Sequence, residues 1–79
     1  EAGGLKVTES AGGRLAFAWN AGAAYRTVSL YTADGRLVAR RRLVVGDTSA
    51  EFTGLARGVY LYYFTADGQT KAAGKVLVE

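Results

Sequence analysis

An all-β fold of about seven short antiparallel strands is predicted for this chain by three features of its sequence. Large apolar residues alternate with small or polar ones in several runs, glycine-bearing pairs such as Asp34-Gly35 break the chain at intervals of roughly ten residues, and no stretch carries the period and end signals of a helix.

The strands follow in order. Leu5 and Val7 stand between Lys6 and Thr8, which gives a strand over about 5–9. Leu15, Phe17 and Trp19 alternate with Arg14, Ala16, Ala18 and Asn20, so three large side chains share one face over about 14–19. Val28 and Leu30 alternate with Thr27, Ser29 and Tyr31 over about 26–32. The next segment, about 36–44, comes nearest to a helix, but its β-branched residues and the preceding Asp34-Gly35 favour a strand. Strands over about 49–53, 58–65 and 70–78 complete the set.

Ala11-Gly12-Gly13, Asn20-Ala21-Gly22, Asp34-Gly35, Gly46-Asp47 and Asp67-Gly68 separate these runs. Thr32-Ala33-Asp34-Gly35 and Thr65-Ala66-Asp67-Gly68 repeat the same letters, and both are expected to close hairpins with one turn chemistry, the primed turn that needs positive φ at Asp and Gly. Alternation suits a sheet with one buried and one wet face. Seven such strands in so short a chain point to an immunoglobulin-like antiparallel β-sandwich.

The length of 79 residues allows one domain with a modest core. The domain is expected over about 5–79, and Glu1-Ala2-Gly3-Gly4 is read as the frayed start of a fragment from a larger protein. With no cysteine to form a disulfide, stability rests on packing of the 49% hydrophobic residues and the aromatics, one Trp, five Tyr and three Phe. A net charge of +3 is too mild to suggest nucleic acid as a partner. Without a run of about eighteen apolar residues, no helix is expected to span a membrane. The domain is expected to be monomeric.

Catalysis has little to draw on. The chain lacks His, the usual general base near neutral pH, and Cys, the thiol nucleophile and soft-metal ligand. Ser10, Ser29 and Ser49 have no evident activating partner. Asp34 and Asp67 are explained by turns and Glu1 and Glu79 by the chain ends, and Asp47 and Glu51, close together in sequence, are read as solvated carboxylates. Neither catalytic residues nor a cofactor or metal site is expected.

Three features invite a recognition role, and each has a plainer reading beside it. In Arg40-Arg41-Arg42, Arg40 and Arg42 share a face and Arg41 points the other way. The run either guards an edge strand by charge or offers Arg40 and Arg42 to an anionic surface. Gly58 to Thr65 is apolar on both faces, with Tyr60, Tyr62 and Phe64 on one and Val59, Leu61 and Tyr63 on the other. The excess either covers loops or forms a contact surface, for which Tyr63 is the residue to test. In Leu55-Ala56-Arg57-Gly58-Val59-Tyr60, the tyrosine is either a core aromatic or a tyrosine corner, its hydroxyl bonded to upstream backbone.

Residues 26–79 resemble the type A C-terminal sorting domains of the type IX secretion system of Bacteroidetes-type bacteria. The matching pieces are Val28-Ser29-Leu30-Tyr31, Asp34-Gly35-Arg36-Leu37-Val38, Leu55, Gly58-Val59-Tyr60-Leu61 and Lys75-Val76-Leu77-Val78, in family order. Residues 1–25 match poorly, and Glu79 stands where the family usually carries a basic residue.

The resemblance implies a seven-stranded immunoglobulin-like sandwich that directs a parent protein through the periplasm and an outer-membrane translocon. A sortase-like peptidase then often removes the domain and couples the cargo to anionic lipopolysaccharide, so that the parent protein ends at the cell surface or is secreted. By the same resemblance, the last two strands carry most of the signal, through Gly58, Val59, Tyr60, Lys75 and Val78. Two other roles remain open: a carbohydrate-binding accessory module of a secreted enzyme, and an anchor that stays attached to its parent at the surface.

Overall fold

The computed structural model describes residues 4–10 and 12–79. Ala11 and most of the expected frayed start therefore lie outside the described residues. The strands are β1 (Lys6–Ser10), β2 (Arg14–Ala18), β3 (Thr27–Thr32), β4 (Leu37–Arg42), β5 (Ser49–Phe52), β6 (Gly58–Ala66) and β7 (Gln69–Val78), with one turn of 3-10 helix at Ala21–Ala23. They form a three-stranded sheet, β1-β2-β5, and a four-stranded sheet, β4-β3-β6-β7, with every pairing antiparallel. The two sheets pack face to face as an immunoglobulin-like sandwich, which the alternating pattern had predicted.

The fourth strand pairs with β3, whereas the constant-type immunoglobulin arrangement places it in the opposite sheet. Its composition explains why it lies at an edge. Its inward positions are filled by Ala39 and Arg41, the latter opposite Val28, and a central strand would need larger apolar groups there. The Arg41 guanidinium lies over the Phe52 ring at 5.3 Å from its centroid, so the charge closes the open side of the sandwich while its head stays wet. Arg40 and Arg42, opposite Ser29 and Thr27, point to the outward face as expected.

Alternating residues of both sheets meet in the core. Leu15, Phe17, Val28, Leu30, Phe64 and Val78 are fully buried. Phe64 lies at the centre of an aromatic cluster, with ring centroids 5.1 Å from Phe17, 5.3 Å from Trp19 and 4.8 Å from Tyr25. The Phe17 and Trp19 contacts are edge-on, an arrangement that adds to the area buried. Trp19 is held at its polar end, where the indole Nε1 donates to the Asp47 carbonyl at 2.9 Å. Among the described residues, no buried side-chain polar atom lacks a partner.

Two glycines permit close approaches. A side chain at Gly13 would strike the Leu55 backbone, whose amide donates to the Gly13 carbonyl at 3.1 Å. This contact ties the β1–β2 turn to the crossover between the sheets. Gly74 lies opposite Tyr62 in the β6–β7 ladder, and the Tyr62 ring covers it so closely that a Cβ would collide with the ring.

One sequence expectation needs correction. The repeated Thr-Ala-Asp-Gly segments do not use one turn chemistry. Asp67 and Gly68 both have positive φ, 54° and 76°, and make the expected two-residue primed turn. In the other copy only Gly35 has positive φ, at 93°, and the ladder closes at Thr32 and Arg36 around a three-residue loop. A three-residue loop of this kind is a type I turn followed by a left-handed glycine.

Candidate functional site

Several of the polar groups that chemistry would require are engaged in structure. Asp47 Oδ2 accepts from the Val44 amide at 2.9 Å, so this carboxylate shapes the β4–β5 turn. Glu51 pairs with Arg14 across the β2–β5 ladder on the outside of the three-stranded sheet. Asp34 accepts from the Thr32 hydroxyl, and chiefly this bond holds its carboxyl below the usual aspartate range. Ser29 is buried, and its Oγ accepts from Arg40 Nε at 3.1 Å. Tyr25 lies in the core, where burial, reinforced by Tyr62, pushes its phenol up and keeps it neutral. No group of three acidic, His or Cys side chains among the described residues could hold a metal ion.

The residues singled out for recognition come together on one hairpin ladder. Gly58 pairs with Val78, Val59 with Leu77, Tyr60 with Val76 and Leu61 with Lys75, four successive rungs at the end of the hairpin away from its turn. The pleat divides them between two faces. Tyr60 and Val78 are buried against the other sheet, while Val59, Lys75 and the neighbouring Leu77 face solvent. Substitution of Tyr60 or Val78 therefore acts through the fold, and only the outward residues can touch a partner directly.

Tyr60 forms the tyrosine corner, its hydroxyl donating to the Ala56 carbonyl at 2.5 Å and fixing the crossover into β6. Gly58 has a φ of 153°, which side chains other than hydrogen rarely adopt, although the space around it is open. Its requirement is thus one of backbone conformation. β7 forms one edge of the four-stranded sheet, and its last seven residues, Ala72 to Val78, carry a single charge, Lys75.

Arg40 and Arg42 lie on the opposite edge strand but share the outward face with Lys75. That face carries a feature the sequence did not disclose. Tyr31 and Tyr63 meet edge to face at 5.5 Å and, with Ser29, Arg40 and flanking threonines, line an open trough of about 650 Å³. Tyr31 read as part of a polar face, because its neighbour across the ladder depends on β3 pairing with β6, thirty residues later. Tyr63 was singled out from the sequence, Tyr31 and Leu77 entered the reading of function only as letters of the resemblance, and Gly74 not at all.

Compared with family models, curated proteins and solved structures, the chain matches none.

Proposed function

We propose that the domain is a sorting signal of the type IX secretion kind, which directs export of its parent protein and its delivery or attachment to the cell surface. The supporting observation is the convergence of Gly58, Val59, Tyr60, Lys75 and Val78 onto adjacent rungs of the β6–β7 hairpin. The hairpin that turns at Asp67-Gly68 brings two motif pieces fourteen residues apart into one setting, which a single partner could contact.

The division of faces suggests how recognition would work. Gly58 and the Tyr60 corner set the path of β6 into the sheet. Val78 is buried beneath it, and Val59, Leu77 and Lys75 form an outward patch of two apolar groups and one cation. Recognition would then proceed without chemistry by this chain, with a translocon component and a sortase-like peptidase as partners. The route would run through the periplasm to the cell surface or the medium. Anionic lipopolysaccharide would meet the cationic outward face that includes Arg40 and Arg42.

The test is delivery of a folded reporter carrying this chain at its C-terminus, in a host with an intact type IX system and in the same host lacking the translocon. Surface or extracellular reporter in the first host and periplasmic reporter in the second is expected. The same location in both hosts overturns the proposal.

A further inference from the structure

The four strands β3, β4, β6 and β7 contain Arg40, Arg41, Arg42, Lys71 and Lys75 and no acidic residue at all. In the other sheet, Lys6 and Arg14 are matched by Glu9 and Glu51. The molecule is therefore polarised, with one sheet cationic and the other neutral. The acids that flank the cationic sheet lie outside its strands, Asp34 and Asp67 in its hairpin turns and Glu79 just after β7.

The trough lies on the outward side of this sheet. Its walls combine the Tyr31 and Tyr63 rings, both half-buried, with the hydroxyls of Thr27, Ser29 and Thr65. Arg40 stands at its rim, opposite Ser29 in the ladder. Its Nε donates to Ser29 Oγ at 3.1 Å and its Nη2 approaches the Tyr31 hydroxyl at 3.5 Å. These contacts orient the guanidinium without neutralising it. The one ion pair among the described residues is Arg14 with Glu51, so Arg40 keeps its charge and most of its five N–H donors for a ligand.

We infer that this trough binds an acidic saccharide, a sugar ring bearing a carboxylate or a phosphate. Each part of the site meets one part of such a ligand. The tyrosine rings accept the apolar C–H face of a pyranose. The surrounding hydroxyls exchange hydrogen bonds with its hydroxyls, and the pre-oriented guanidinium takes the acidic group in a forked, charge-assisted contact. The volume of about 650 Å³ is of the size that holds small ligands. Single-stranded nucleic acid fits less well, because its bases need successive stacking platforms, whereas these two rings stand at 81° to one another. The inference deepens the proposed contact of this face with anionic lipopolysaccharide, and because the trough is read by binding to the isolated chain, its failure is distinguishable from a failure of export.

The test is an amide-resolved NMR titration of the chain with tetragalacturonate, with its methyl ester and with a mannose-6-phosphate oligosaccharide. Binding of an acidic sugar is expected, with shifts confined to the amides of Ser29, Tyr31, Arg40, Tyr63 and Thr65. The neutral ester should bind at least about tenfold more weakly, the size of effect a lost charge-assisted hydrogen bond produces. Arg40→Gln and Tyr63→Thr should each weaken binding about tenfold, with the thermal midpoint of each variant recorded to confirm folding. Lys6→Gln, on the far sheet, should leave binding unchanged. Carboxylate and phosphate probes identify which acid the site prefers, and binding of either supports the inference. Binding of neither, equal binding of the ester, or equal loss with Lys6→Gln overturns it. Displacement of the sugar by a lower concentration of oligothymidylate also overturns it, and assigns the trough to nucleic acid instead.

Discussion

The two Thr-Ala-Asp-Gly hairpins are identical in sequence over four residues and differ in structure. At β3–β4, Thr32 lies in the inward row, opposite Tyr60, and Ala33 is exposed. At β6–β7, Thr65 lies in the outward row, opposite Thr27, and Ala66 is buried. The incoming strands thus reach the repeat in opposite phases of the pleat. The outgoing strands leave it in the same phase, since Ala39 and Ala72, seven residues beyond each threonine, both pack inward. The loop absorbs the difference of one residue. The first hairpin closes at Thr32 and Arg36 around three residues, the second at Ala66 and Gln69 around two. Both ladders also slip by one residue close by, between Leu30 and Tyr31 and between Phe64 and Thr65. Turn type here follows from the burial phase of the strands, which long-range packing fixes, and the tetrapeptide only has to be compatible with it.

Corresponding substitutions in the two hairpins should therefore have unequal effects. The largest difference is expected at the alanines. Ala66→Leu adds volume to a filled core and should destabilise by about 1–3 kcal/mol. Ala33→Leu, on an exposed loop, should stay within about 0.5 kcal/mol. Urea denaturation of the two variants measures both, and equal losses would mean that the pleat phases are misassigned. The aspartates come next. Asp67→Val places a β-branched residue at positive φ and should lose about 1–2 kcal/mol. Asp34→Val forfeits exposed hydrogen bonds, chiefly the one from Thr32, and should lose clearly less than Asp67→Val.

The smallest effect is one of pH. Because the Thr32 hydroxyl donates to Asp34, the folded carboxyl titrates below the usual value of about 3.9. A depressed folded pKa means that the contribution of Asp34 to stability is present above the unfolded value. It is lost as pH falls through the folded one. Carbon-detected NMR titration should show the depressed midpoint, and Thr32→Val should move it back up. An unchanged midpoint in that variant would remove Thr32 as the cause.

The same contrast explains what could be read from the sequence. Strand positions were legible to within about two residues, because the alternation of Leu15, Phe17 and Trp19, or of Val28 and Leu30, is a local consequence of one buried face. The tyrosine corner was legible because Leu55, Gly58 and Tyr60 lie within one short segment. Partner strands were not, since pairing of β3 with β6 brings together residues as far apart in sequence as Thr27 and Thr65. The trough between Tyr31 and Tyr63 and the cover that Tyr62 gives Gly74 stayed hidden for that reason. The proposed recognition residues were named individually from a resemblance, but their division into buried and outward sets required the ladder.

That division leads to the most direct measurement of the proposed role. Val59 and Leu77 face each other on the outward side of the last rungs, 40% and 44% exposed. The double variant Val59→Thr, Leu77→Thr places strand-compatible β-branched side chains at both positions and leaves the core untouched. Fused to the reporter in a host with an intact type IX system, and shown to melt within a few degrees of the parent chain, it should leave most of the reporter in the periplasm. Delivery to the surface at the parent level would contradict recognition through this face of the β6–β7 hairpin.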